Sequence, residues 1–81
     1  MKLQLAYDLG TYEELYPFVE EIEEAFDIIE IGTPVILREG VSQIENVKKR
    51  FPDKLIFADL KIIDAGKLEA DIGFQAGADM V

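Results

Sequence analysis

The sequence contains no cysteine and no histidine, and only 8 of its 81 residues are basic against 17 acidic ones. Without cysteine no disulfide can staple the chain, although one this short buries only about 60% of its unfolded surface. The lack also fits a reducing compartment. With neither cysteine nor histidine, a resident metal must be held by oxygen alone, which favours Mg²⁺ over Zn²⁺. The formal net charge of −9 argues against nucleic acid or an anionic membrane surface as a partner and points to a bound cation. No apolar run approaches the roughly 20 residues that cross a bilayer, and the opening Met1 to Ala6 turns polar too soon for a signal peptide. A cytoplasmic location is expected. The remaining composition, 49% hydrophobic and 31% charged, is that of a globular chain and excludes disorder.

Leu3 to Leu9 alternates in the manner of a strand, with Leu3, Leu5 and Tyr7 on one side and Gln4, Ala6 and Asp8 on the other. Gly10 turns the chain, and Thr11 with Glu14 has the spacing of a capping box. Leu15, Phe18, Val19, Ile22 and Phe26 then fall at helical spacing, leaving Glu20, Glu21, Glu23 and Glu24 as a solvated face. Pro17 is expected to bend this helix. Asp27 to Thr33 reads as a second strand, ended by Gly32, Thr33 and Pro34, in which Glu30 interrupts an isoleucine run. A glutamate there must be paired or ligating. Val35 to Leu37 is expected to be an apolar patch in a loop, packed under the following helix or on a partner subunit. Ser42 and Glu45 repeat the capping spacing ahead of a second helix, which Pro52 stops. A third helix is expected over Ala65 to Ala76, with Leu68, Ile72 and Ala76 inward and Gly77 as its stop. Ala78 to Val81 begins another apolar segment.

The third strand is the most informative stretch. Leu55 to Ile62 places Ile56, Ala58, Leu60 and Ile62 on one face and Phe57, Asp59 and Lys61 on the other. If the strand stays extended, Asp59 and Lys61 lie about 6 to 7 Å apart along it. Such a pair at a strand end is either a structural ion pair or part of a site, since in parallel α/β folds sites form at the carboxyl ends of strands. Asp8, Glu30 and Asp59 each end a strand, and all three fall on the face expected to point inward. Carboxylates gathered in that way repel and protonate unless a divalent cation and Lys61 keep them ionised. The alternation of strand and helix is that of βα units in a parallel sheet. A (β/α)₈ barrel needs at least about 200 residues, so the fold class expected is α/β, residues 1–81 forming about three and a half βα units of a larger fold.

Asp59-Leu60-Lys61-Ile62-Ile63-Asp64 matches the D-x-K-x-x-D signature of the orotidine 5′-monophosphate decarboxylase superfamily. Glu30-Ile31-Gly32-Thr33-Pro34 resembles its 3-hexulose-6-phosphate synthase branch, and the likeness runs from Leu3-Gln4-Leu5-Ala6 to Gly77-Ala78-Asp79. The resemblance implies a homodimeric (β/α)₈ barrel with Mg²⁺ held at Glu30 and Asp59. It implies a lyase-type aldol reaction, in which the enediolate of ribulose 5-phosphate adds to formaldehyde. Lys61 would stabilise the enediolate oxygens, Asp64 would reach into the neighbouring subunit's site, and Asp8 would bind substrate hydroxyls or polarise Lys61. The family's proton-transfer histidine and late phosphate loops have no counterpart here and the sheet has two open edges, so the 81 residues alone are expected to be inactive and to associate or fold poorly. Gly66-Lys67 suits the sister branch, 3-keto-L-gulonate 6-phosphate decarboxylase, whereas Pro34 and Leu60 suit the synthase. From another class, a phosphoacceptor receiver domain would also place acids like Asp8 and Asp59 after its first and third strands, but it leaves Glu30 unexplained. A non-catalytic fragment is the remaining alternative.

Overall fold

The computed structural model describes residues Met1–Val81 and begins with strand β1, Gln4–Tyr7. Helix α1, Tyr12–Ile22, starts where the capping spacing places it: the Thr11 side chain accepts from the Glu14 N–H at 3.2 Å. The helix continues through Pro17, whose missing N–H removes one hydrogen bond from its interior. A short 3₁₀ turn, Glu23–Ala25, leads to β2, Ile28–Ile31.

Three features depart from the sequence reading. Val35 to Leu37 lies within a helix, α2, Thr33–Glu39, with Gly32 as its N-cap. Pro34 near its start has a fixed φ and needs no N–H there, so a residue read as a stop serves as an opening. Ser42 caps nothing: it lies inside a 3₁₀ turn, Val41–Gln43, and α3 begins after it at Ile44–Arg50. Helix α4, Gly66–Gln75, follows β3, Leu55–Ala58, but Leu68 and Ile72 are exposed, and its one buried residue is Gly73. A Cβ at Gly73 would lie 2.6 Å from Val81 Cγ1 and 3.0 Å from Leu60 Cδ1, so the missing side chain is what lets α4 approach. Gly77, at φ 108°, ends that segment as expected.

The sheet is parallel, in the order β1-β2-β3. Met80 bridges Phe57 in parallel, and the Ala58 N–H donates to the Met80 carbonyl at 2.9 Å, so a fourth strand begins beside β3. Asp79 ties its start in place by accepting from Lys48 Nζ and from the Ile56 N–H, both at 2.8 Å.

The two sheet faces differ in kind. Ile29, Ile31, Ile56 and Ala58 are fully buried against Leu15 and Val19 of α1, Val35 of α2 and Ile44 and Val47 of α3. On the opposite face Gln4 and Ala6 are exposed, while Ile28, Glu30, Leu55 and Phe57 are half-buried. Helices therefore cover one side of the sheet, and its other side carries the polar residues. Because Ile29 is wholly enclosed in this core, Ile29→Ala should lower unfolding free energy by about 2–5 kcal/mol, read by urea denaturation. A loss under about 1 kcal/mol would mean that the core is looser than the packing here.

Candidate active site at the strand carboxyl ends

The register decides which side chains meet. Ala6 pairs with Glu30 and Glu30 with Phe57, so Asp8 and Asp59, each two residues further along, extend the same face past the ends of β1 and β3. Gly32 lies between them at the end of β2. A Cβ on Gly32 would fall 1.8 Å from Asp8 Oδ1 and 2.8 Å from the Tyr7 carbonyl, so the Asp8 carboxylate occupies the space a side chain would take. Glu30 is half-buried and accepts from Gln4 Nε2 at 2.5 Å.

Asp59 lies just beyond β3, with its N–H donating to the Ile31 carbonyl at 3.0 Å and its own carbonyl accepting from Thr33 Oγ1 at 2.5 Å. The strand has ended by then, and Lys61 adopts a left-handed conformation at φ 49°. The strict alternation read for Leu60, Lys61 and Ile62 therefore does not hold. The turn folds the lysine back, so that its Nζ lies 2.9 Å from Asp59 Oδ2 with 66% of its side chain exposed, against 24% for Asp59.

The charges respond to this arrangement. The Lys61 hydrogen bond holds the Asp59 carboxyl below its ordinary value. Burial opposes that shift, while the charge and backbone N–H of Lys61 add to it. The Lys61 ammonium is raised, first by its hydrogen bond to Asp59 and by that carboxylate's charge, and then by Glu30 and Asp8. Lys61 thus feels all three strand-end carboxylates. Asp64 takes no part in either shift: it is exposed and accepts from the Ala65 N–H at 2.8 Å.

No three acidic side chains come close enough together to hold a metal ion by themselves. The available donor set is Glu30 and Asp59, two carboxylates on neighbouring strands, in a chain with no imidazole or thiolate to offer. That set fits Mg²⁺, which commonly uses one or two carboxylates and keeps several waters. Gln4, Gly32 and Thr33 join the site without having been given a site role from the sequence. The alternation of β1 does place Gln4 on the face of Ala6 and Asp8, but its pairing with Glu30 needs the register. Thr33 was marked in the sequence only as part of the strand's end and of the Glu30 to Pro34 motif.

A carboxylate with a depressed pKa contributes stability above its ordinary value of 3.8 and loses it as pH falls through the lowered one. A raised lysine contributes below 10.5 and loses it as pH rises through the higher one. The ion pair therefore acts between those limits. In the metal-free protein, Lys61→Met should return the Asp59 carboxyl towards its ordinary value in a ¹³C titration. An unchanged Asp59 titration would show that the contact is not made in solution.

A family model described as "Orotidine 5'-phosphate decarboxylase / HUMPS family" matches residues 1–81. The 3-hexulose-6-phosphate synthase of Mycobacterium gastri is 56% identical over 81 residues, which is 100% of this chain and 39% of that protein. A 3-keto-L-gulonate-6-phosphate decarboxylase of Escherichia coli is 42% identical over 79 residues, 98% of this chain and 37% of the relative. A crystal structure of 3-hexulose-6-phosphate synthase superimposes with a TM-score of 0.92 at 56% identity, over 98% of this chain and 38% of that one. The chain spans well under half the length of these relatives, and its strands and helices match the N-terminal part of their TIM barrel fold. The match over the whole chain sets aside the receiver-domain alternative, and the protein belongs to the orotidine 5′-phosphate decarboxylase / HUMPS family.

Proposed function

We propose that the protein carrying this sequence is a 3-hexulose-6-phosphate synthase, a lyase that joins ribulose 5-phosphate to formaldehyde in the aldol direction. The observation that carries the reading is the Lys61 ammonium held against Asp59 and within the field of Glu30 and Asp8, at the carboxyl ends of parallel strands. The 56% identity to the Mycobacterium gastri synthase, against 42% to the Escherichia coli decarboxylase, supports the choice between the branches.

In this reaction the C1–H bond of the pentulose phosphate breaks: the proton passes to a general base, a role the resemblance gives to a histidine with no counterpart in these residues, and the electron pair enters a 1,2-enediolate. The C1 carbon then attacks formaldehyde, whose oxygen takes up a proton. Negative charge develops on the sugar oxygens, and a preorganised ammonium is most useful where charge appears. Lys61, protonated at neutral pH like any lysine, supplies that ammonium, and the carboxylates around it favour its charged form further. Asp59 and Glu30 would hold Mg²⁺, which would supply positive charge to offset the negative charge of the enediolate. Asp8, fixed over Gly32, accepts from substrate hydroxyls or polarises Lys61. The exposed Asp64 projects towards a second subunit in a homodimer.

No helix is long and apolar enough to cross a membrane, and a cytoplasmic enzyme acting on a small sugar phosphate is consistent with that. The second reading, 3-keto-L-gulonate-6-phosphate decarboxylase, is favoured by the 42% identity to that enzyme and would use the same lysine on an enediolate left by CO₂ loss.

The test is made on the full-length polypeptide. It should consume ribulose 5-phosphate only when formaldehyde is present and release no CO₂ from 3-keto-L-gulonate 6-phosphate; the opposite pattern would assign it to the decarboxylase. In calorimetric titrations with Mg²⁺, Glu30→Gln and Asp59→Asn should each weaken binding by about tenfold or more. Unchanged affinity in both variants would remove these residues from the metal site.

A further inference from the structure

We propose that Thr33 is a positioning residue whose hydroxyl, by holding the backbone carbonyl of Asp59, maintains the turn that brings the Lys61 ammonium back onto the Asp59 carboxylate. The inference rests on the roles given to Lys61 and Asp59 above. Asp59 is fixed on both sides of its Cα, by the Ile31 carbonyl through its N–H and by Thr33 Oγ1 through its carbonyl, at 3.0 and 2.5 Å. Two residues on, Lys61 has φ 49°. A residue with a Cβ is disfavoured there and stays only where its surroundings over-determine the backbone.

The side chain of Lys61 is mostly exposed and gives the turn little packing, so the restraint has to come from the backbone beneath it. Thr33 is well suited to provide it. It opens α2 after the Gly32 cap, Pro34 fixes the next φ, and Val35 anchors the first turn in the core. On the other side of the same turn, Gly32 leaves the space that the Asp8 carboxylate fills. The Gly32-Thr33 turn after β2 thus touches the site residues of both flanking strands, with glycine making room for one and threonine holding the other.

A valine at this position keeps the shape and removes the donor, whereas a serine keeps the donor. In the full-length polypeptide, Thr33→Val should abolish the left-handed signature in the Lys61 Cα and Cβ chemical shifts. It should also lower kcat by about tenfold, with KM for ribulose 5-phosphate little changed. Thr33→Ser should restore both. Thr33→Ala, which asks no extra volume of the turn, makes the same test should the valine variant not fold. The proposal is overturned if the variants lacking the hydroxyl lose thermal stability alone, with the Lys61 shifts and kcat as in the parent. Should the parent show no formaldehyde-dependent reaction, the functional reading fails. Loss of the Lys61 signature in Thr33→Val and its return in Thr33→Ser would still uphold the positioning role.

Discussion

The parallel register of β2 against its neighbours governs both the core and the site. It sets Ile29 beside Leu5 and Ile56, and Glu30 beside Ala6 and Phe57. Side chains alternate strictly along a strand, so a slip of one residue would carry Glu30 into the helical layer and Ile29 out of it. Burying an isoleucine is worth about 1.5–3 kcal/mol, and an unpaired carboxylate in that layer would be strongly unfavourable. The enclosed face of Ile29, Ile31, Ile56 and Ala58 therefore enforces the orientation of Glu30, and with it the common direction of Asp8 and Asp59. The hydrophobic effect, which does not itself discriminate chemistry, aims the carboxylates.

Charge then decides what that face can do. The chain carries net charge −9, and at the strand ends three carboxylates act on one lysine. One lysine and three carboxylates leave a local excess of negative charge, which a divalent cation at Glu30 and Asp59 would offset. Gln4 lends Glu30 a neutral donor, a weaker partner than an ion and one that can be displaced. Thr33 and Gly32 contribute no charge, yet they fix where Asp59 and Asp8 lie relative to it.

Much of this was legible in the sequence because it follows from periodicity. Alternation assigned the faces of β1 and of β3 as far as Ala58, the Thr11 and Glu14 spacing placed the start of α1, and three strand-ending carboxylates pointed to the candidate site. The misreadings arose where one residue type serves two purposes. Gly32, Thr33 and Pro34 end a strand, but the same three residues also open α2. Leu68 and Ile72 fall at helical spacing, yet α4 reaches the sheet through Gly73 and leaves them exposed. Lys61 was placed as though the strand continued, because nothing local marks a lysine for positive φ. Its conformation is set by tertiary bonds around Asp59, which no pattern along the chain encodes.

The central claim is that Lys61, held by Asp59 at the strand ends, stabilises an enediolate of a sugar phosphate. It is tested most directly without formaldehyde, by following exchange of the C1 proton of ribulose 5-phosphate in D₂O by NMR, with the full-length polypeptide and its Lys61→Met variant. The account predicts exchange with the parent protein and a rate about 10²–10³-fold slower with the variant, at little cost in fold stability. Exchange at the parent rate in a folded Lys61→Met protein would contradict it and leave the Asp59 to Lys61 contact as a structural ion pair.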